Sequence, residues 1–191
     1  MAGKQAKLLS AGMVGAMLRC VCGNRRVLRD RVIILLSVKA GLRASEIAHL
    51  RWSMLLNARG KISNLIELHD SVAKYGSGRT IPIHKDLKKL LLRLHKLRGD
   101  SGFVVESERG SGMRPSSIVN FFQKLYQTLG YEGCSSHSGR RSFVTYAARN
   151  IHLVGGSLKD VQQLAGHRSL ETTQAYIEGD SNIKRKLIAR M

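Results

Sequence analysis

Apolar residues recur at helical spacing along most of the chain. In residues 26–39 they are dense enough to predict a buried helix. Residues 85–97 carry apolar side chains at 87, 90, 91, 94 and 97 with basic ones on the other face, which predicts an amphipathic helix. The same spacing, bounded by glycine, proline and capping residues, predicts further helices at 8–18, 45–52, 116–129, 138–150, 157–165, 170–176 and 182–191.

Two β-prone runs interrupt the helical pattern. Residues 61–69 and 79–83 are joined by a polar, glycine-bearing segment, so they predict an antiparallel hairpin. Residues 103–105 are a candidate for one more short strand. The expected fold class is therefore mostly α with a small antiparallel β-sheet, an α+β domain.

The charge balance narrows the choice of partner. The 191 residues include 32 lysines and arginines but 13 aspartates and glutamates, a net charge of +19. Such a surplus repels itself and favours nucleic acid as a polyanionic partner; a solvated basic surface and an anionic membrane are the alternatives. Only 5% of the residues are aromatic, and stacking on single-stranded bases requires aromatic side chains. Contact with the backbone of duplex DNA is therefore favoured. The longest apolar run, 32–38, is too short to span a membrane.

The cysteines indicate a reducing compartment. Cys20 and Cys22 are spaced C-x-C, and Cys134 stands apart, so the three cannot pair completely. The N-terminus lacks the apolar segment of a secretory signal, and we therefore expect a cytoplasmic protein. Cysteines and histidines with zinc spacing are absent from the sequence, and we expect neither a metal nor another cofactor.

Four segments contain residue types suited to phosphate chemistry. Transfer at a phosphodiester requires guanidinium groups on the non-bridging oxygens, an acid for the departing oxygen and a nucleophile. Taken singly, each candidate has an ordinary explanation, such as an i,i+3 ion pair for Arg43 and a half-buried packing position for Tyr176. The candidates are Arg43 and Glu46, Lys74, His137 and Arg140, and His167 and Tyr176.

Taken together, these segments resemble the tyrosine recombinase (phage integrase) family over nearly the whole chain. Residues 41–47 (GLRASEI) resemble its first-arginine motif, and residues 74–83 (KYGSGRTIPI) resemble the hairpin that holds its catalytic lysine. Residues 137–140 match its H-x-x-R pair, although Gly139 stands where an aliphatic residue is common. Residues 164–176 (LAGHRSLETTQAY) resemble its final block, in which a histidine precedes the nucleophilic tyrosine.

The resemblance implies that a tyrosine hydroxyl cleaves a DNA strand. The step leaves a 3′-phosphotyrosyl bond and a free 5′-hydroxyl, and a partner strand's hydroxyl reverses it without hydrolysis. Tyr176 would be the nucleophile, and Lys74 would protonate the departing 5′-oxygen. Several cations around a tyrosine favour its phenolate, so no metal is implied.

The resemblance also assigns roles to the other residues. Arg43, Arg140 and His167 would hold the scissile phosphate, and His137 would act as a base or hydrogen-bond donor. Glu46 would orient Arg43. The remaining DNA-binding candidates, which by themselves indicate a strand-edge charge or phosphate contacts, are Arg79, Arg141 and Arg168.

We expect residues 1–191 to form a single catalytic domain. About 40 residues precede Arg43, and the domain's own first helices account for them, so no separate N-terminal core-binding domain is expected. The chain is then either an excised catalytic domain or a natural short member of the family. We expect the tail, 178–191, either to dock on a neighbouring protomer or to stay with its own domain, as a packed helix or a frayed basic end.

Site-specific cleavage and rejoining of duplex DNA is the leading hypothesis. It expects a nucleoid-associated protein that is a monomer in solution and a dimer or tetramer on DNA. A catalytically silent DNA-binding relative, acting as an accessory or regulator, would not need Tyr176. A basic RNA-binding protein without chemistry would prefer structured RNA. The sequence leaves open the DNA target and the choice among integration, excision, inversion and resolution.

Overall fold

The computed structural model describes residues 6–73, 76, 78–99, 102–176 and 188–189. The predicted helices within these ranges are present, with ends shifted by up to three residues. The first begins later than predicted because Ser10 caps it, accepting a hydrogen bond from the backbone N–H of Met13 (3.2 Å). The helices are α1 (Ala11–Cys20), α2 (Val27–Lys39), α3 (Ala44–His49), α4 (Lys85–Arg98), α5 (Pro115–Thr128), α6 (Ser138–Asn150), α7 (Leu158–Ala165) and α8 (Leu170–Gln174).

The predicted hairpin is present and shorter than its β-prone runs. Strands β1 (Leu65–Leu68) and β2 (Arg79–Pro82) pair antiparallel, with Leu65 opposite Pro82 and Leu68 opposite Arg79. The candidate strand at 103–105 is wrong: Phe103 makes an isolated bridge with Arg51. The expected class, mostly α with a small antiparallel sheet, is confirmed.

Two hydrophobic clusters hold these elements together. The large core surrounds α2, which contacts α1, α3, α4 and α6, and it includes the buried side chains of Trp52 and Phe122. The small cluster lies under α6 and α7, where Val144 and Val161 are fully buried. Because α6 also packs on α2, the elements that depend mainly on the small cluster are α7 and α8.

Two glycines let backbone approach other elements closely. Gly41 has φ +65°, and a Cβ on it would lie 2.4 Å from the Phe143 ring. A Cβ on Gly139 would lie 2.2 Å from the Ser37 Oγ atom, so α6 can pack this closely on α2 only because position 139 lacks a side chain. The departure of Gly139 from the family pattern therefore has a packing reason at the helix that carries Arg140.

Among the described residues, no helix is long and apolar enough to cross a membrane. Within the same part of the chain, histidine, cysteine, aspartate and glutamate side chains form no group of three or more that could hold a metal ion.

Candidate active site

A cleft of about 520 Å³ opens where the start of α3, the start of α6 and the segment after α7 meet. Its lining combines guanidinium, imidazole, hydroxyl and phenol groups. The lining residues are Ala6, Arg43, Ser135, His137, Arg140, Arg141, His167, Thr172, Ala175 and Tyr176. Side chains from segments more than 130 residues apart in sequence therefore converge on one space.

Three arginine side chains form hydrogen bonds with carbonyl groups at the C-terminal end of α7. The last carbonyl groups of a helix lack intrahelical partners and carry the negative end of its dipole, so they attract cationic donors. Gly166 ends the helix in the left-handed conformation, with φ +63°. Each arginine donates a hydrogen bond to one carbonyl here: Arg79 Nε to Leu164 (2.9 Å), Arg140 Nη2 to Ala165 (2.6 Å) and Arg43 Nη2 to Gly166 (3.5 Å).

Glu46 joins two of these arginines. Its carboxylate is fully buried; Oε1 accepts from Arg43 Nη1 (2.7 Å) and Arg79 Nη1 (3.0 Å). The second oxygen, Oε2, accepts from the Arg43 backbone N–H (2.9 Å) and from Arg79 Nη2 (3.0 Å). Burial by itself raises the pKa of Glu46, but the hydrogen bonds and charges of Arg79 and Arg43 outweigh it and hold the pKa below its ordinary value. Glu46 is therefore ionised at neutral pH.

Arg140 bridges the two sides of the cleft from a buried position. Its Nη1 donates to the Gly41 carbonyl (2.7 Å), and its Nη2 donates to the Ala165 carbonyl. Burial first, and then the neighbouring charge of Arg43, lower the pKa of Arg140 to about 10. The guanidinium still carries its charge at pH 7, inside a pocket that already contains a second cation. Such a pocket favours an anion.

His167 lies against Tyr176 on the opposite wall. The rings stack with centroids 5.5 Å apart and planes inclined by 22°, and His167 Nδ1 lies 3.0 Å from the hydroxyl of buried Thr173. Burial, followed by the charges of Arg140 and Arg43, lowers the pKa of His167 to about 4. The imidazole is therefore neutral at pH 7 and can share a hydrogen without adding charge.

The structure brings together five of the six residues to which the resemblance gave catalytic roles. Arg43, His137, Arg140, His167 and Tyr176 all line the cleft. The sixth, Lys74, lies outside the described residues, as does the tail from 178 to 191 apart from 188–189.

The three further DNA-binding candidates lie in different environments. Arg79 lies on the expected strand, but its side chain is only 5% exposed because it binds Glu46 and the Leu164 carbonyl inside the protein. Arg141 lines the cleft, and its Nη1 donates to the Ala6 carbonyl. Arg168 is exposed beside a neighbouring cavity of about 270 Å³ between β2 and α7.

Sequence reasoning missed two kinds of contributor. One is backbone: the carbonyls of Gly41, Leu164, Ala165 and Gly166 accept from the arginines, and the αL glycine after α7 was the signal available. The other is Thr173, whose hydroxyl holds His167. Thr173 lies six residues after His167, within the final block, but spacing alone does not show that its side chain turns back.

Residues 8–182 match the model of the phage integrase family. This chain belongs to that family. The match covers every residue of the cleft except Ala6, so the segments that resembled the family in sequence are those that converge in space.

Named members of the phage integrase family align over most of this chain. It is 30% identical over 167 residues to tyrosine recombinase XerA of Pyrococcus horikoshii, covering 85% of this chain and 55% of that protein. It is also 30% identical over 173 residues to tyrosine recombinase XerC of Lactobacillus delbrueckii subsp. bulgaricus, with the same coverage of 85% and 55%. The chain thus spans about half the length of the curated relatives it matches.

Solved structures share the fold. The crystal structure of XerA recombinase superposes with a TM-score of 0.75 at 22% identity, over 96% of this chain and 64% of that one. A λ integrase dimer bound to a COC′ core site superposes with a TM-score of 0.70 at 21% identity, over 91% of this chain and 49% of that one. The helical arrangement found here is therefore that of the integrase family.

Proposed function

We propose that this chain cleaves and rejoins duplex DNA through a covalent 3′-phosphotyrosyl intermediate. The observation that carries the proposal is the cleft itself, in which a phenol lies beside a neutral imidazole and faces two guanidinium groups, that of buried Arg140 and that of partly exposed Arg43. A pentacoordinate phosphorane carries one more negative charge than the phosphodiester, and fixed cations in a partly desolvated cleft stabilise that extra charge.

The proposed step conserves atoms and charge. The Tyr176 oxygen forms a bond to phosphorus while the bond to the 5′-oxygen breaks. The phenol proton passes to His137, and the 5′-oxygen takes a proton from Lys74. The product is a tyrosyl phosphodiester and a free 5′-hydroxyl, and attack by another strand's 5′-hydroxyl restores the DNA.

The other residues hold the phosphate during this step. Arg43 and Arg140 bind the non-bridging oxygens through their guanidinium groups, and His167 donates a hydrogen bond as a neutral imidazole. Because His167 is uncharged and already held by Thr173, it loses little freedom when the phosphate binds. Arg141 and Arg168 contact DNA outside the scissile phosphate.

The proposal extends to partner and place. Curated relatives are named tyrosine recombinases, and family neighbours were solved on DNA, one of them as a dimer. We infer that residues 1–191 act as the catalytic unit on duplex DNA, with a monomer in solution that assembles into dimers or tetramers on the substrate. A DNA substrate also places the protein at the nucleoid.

Covalent trapping tests the nucleophile. Wild-type protein is incubated with nicked duplexes drawn from the DNA that flanks its coding region, and adducts are resolved on denaturing gels. Tyr176→Phe removes only the attacking oxygen, so it should bind the duplexes with wild-type affinity and form no adduct. Tyr146→Phe is the matched control, because Tyr146 is 73% exposed on α6 and lies outside the cleft lining. An adduct formed by Tyr176→Phe would overturn the proposal.

A sulfur-substituted substrate tests the acid. Lys74→Ala should cleave ordinary DNA about 10²–10⁴-fold more slowly, because the 5′-alkoxide then leaves without a proton. Replacing the bridging 5′-oxygen by sulfur provides a leaving group that needs no proton, so the variant should regain cleavage. Tyr176→Phe should stay inactive on both substrates. If sulfur does not rescue Lys74→Ala, another group is the acid.

A further inference from the structure

Arg79 is an arginine that the proposed chemistry leaves without a task. It lies on β2, five residues after Lys74, and its side chain is 5% exposed. Three of its donors are engaged inside the protein, two with the oxygens of Glu46 and one with the Leu164 carbonyl. A guanidinium held in this way is turned away from any DNA on the surface.

The charges around Glu46 explain why a second arginine is needed. Glu46 is fully buried and ionised, so it requires a neighbouring cation. Arg43 can supply that charge, but Arg43 is 20% exposed and lines the cleft, where a phosphate would claim the same charge. One carboxylate between two guanidinium groups leaves one positive charge unbalanced.

We propose that Arg79 is a positioning residue that neutralises Glu46, so that the charge of Arg43 remains available to the scissile phosphate. This inference rests on the proposed function for the identity of the anion. Arg79 binds both carboxylate oxygens as a fork, which is the geometry that neutralises a carboxylate best. Glu46 can then orient Arg43 through Oε1 and the Arg43 backbone N–H without competing for its charge.

The contact with α7 adds a mechanical consequence. Arg79 Nε donates to the Leu164 carbonyl, one residue before the Ala165 carbonyl that accepts from Arg140. The base of the hairpin is thereby tied to the helix end that precedes His167. A shift of strand β2 would therefore move the end of α7 and, with it, the side chains proposed to bind the phosphate.

Sharing of the Glu46 charge should produce a specific order of anion affinity among the wild type and three variants. In Arg79→Met, Glu46 keeps its negative charge, and Arg43 becomes the cation that neutralises it. The cleft should then bind anions about tenfold more weakly, a loss within the range of interaction energies measured for residues of one salt-bridge network. Glu46→Gln should bind anions at least as well as wild type, because Arg43 has lost a competitor. The double variant Glu46→Gln/Arg79→Met should regain most of the affinity lost in Arg79→Met.

The experiment titrates inorganic phosphate into each protein and follows the His167 imidazole by NMR, with adduct formation on nicked duplexes measured in parallel. Arg79→Lys keeps the charge without the fork and should retain more affinity than Arg79→Met. Arg93→Met, an exposed position on α4, controls for the loss of one positive charge. Thermal unfolding checks that each protein is folded at the temperature of the titration.

The outcomes separate this inference from the proposed function. Recovery in the double variant supports the charge role, whether or not the wild type forms an adduct. A double variant weaker than Arg79→Met, with Arg79→Lys equal to Arg79→Met, would show that Arg79 only packs the site and would overturn the inference. If Arg79→Met does not fold, the phosphate affinities of Arg79→Lys and of the double variant are each compared with that of the wild type. A double variant close to the wild type then supports the inference, and a double variant weaker than Arg79→Lys overturns it. Absence of any wild-type adduct would count against the proposed function alone.

Discussion

The two walls of the cleft have unequal hydrophobic support. Arg43 and Glu46 begin α3, which packs into the large core, whereas His167 and Tyr176 flank α8 on the small cluster. Among the described residues, the large core contains thirty buried hydrophobic side chains and the small cluster contains four. Because hydrophobic stabilisation grows with buried apolar area, the wall that holds Arg43 is the more stable of the two.

Arg140 connects these unequal regions. Its two hydrogen bonds reach Gly41 on the side of the large core and Ala165 in the small cluster. The difference between the walls suits the proposed reaction: Arg43 stays fixed on the large core, whereas Tyr176, the proposed nucleophile, and His167 lie on the part that opens more readily. We therefore expect separable effects from changes at Arg140, in each hydrophobic cluster and at His167.

Breaking the bridge should have the largest effect. Arg140→Met removes a proposed phosphate ligand and leaves the carbonyls of Gly41 and Ala165 without their donor. Adduct formation should fall by about 10³-fold or more, and the free energy of unfolding should fall by about 2–4 kcal/mol. Denaturant titration and covalent trapping measure the two losses. Arg93→Met, exposed on α4, should leave both nearly unchanged, and equal losses in the two variants would contradict the bridging role.

Matched valines test the unequal support. Val32 in the large core and Val161 in the small cluster are both fully buried helical residues. Val32→Ala should lower the free energy of global unfolding by about 2 kcal/mol through lost transfer energy and a cavity. Val161→Ala should lower it less and should instead speed amide exchange in residues 158–176 selectively. Exchange that accelerates equally in all helices of both variants would show that the two clusters unfold as one unit.

The protonation of His167 should change phosphate affinity only several-fold, which is the smallest of the expected effects on function. Burial and the charges of Arg140 and Arg43 hold the pKa of His167 near 4, whereas the unfolded chain titrates near its ordinary 6.5. As the pH falls from about 6.5 to about 4, the unfolded chain binds a proton that the native protein does not, so stability should decrease. A phosphate in the cleft offsets the arginine charges and should raise the pKa of His167, so phosphate affinity should rise several-fold across the same window. NMR titration with and without phosphate measures both pKa values, and an unchanged value on binding would contradict the placement of the anion.

Local sequence determined most of the secondary structure and the order of the chemical groups. Helix positions followed from apolar spacing and from capping residues such as Ser10, because these act within a few residues of chain. The family motifs identified Arg43, His137, Arg140, His167 and Tyr176 as candidates for one site, and all five line the cleft. The candidate strand at 103–105 failed because strand formation depends on a partner that local pattern does not specify.

The tertiary structure alone decided how the charged groups share their partners. Arg79 was expected at a strand edge, yet it is buried on Glu46, thirty-three residues earlier in the chain. Arg140 and Gly41 are ninety-nine residues apart and meet because Gly139 allows α6 to approach α2. Carbonyl groups carry no side-chain signature, and the burial of a charge depends on every element packed around it. For that reason the sequence showed which groups could act on a phosphate, and only the fold showed which of their charges remain free to do so.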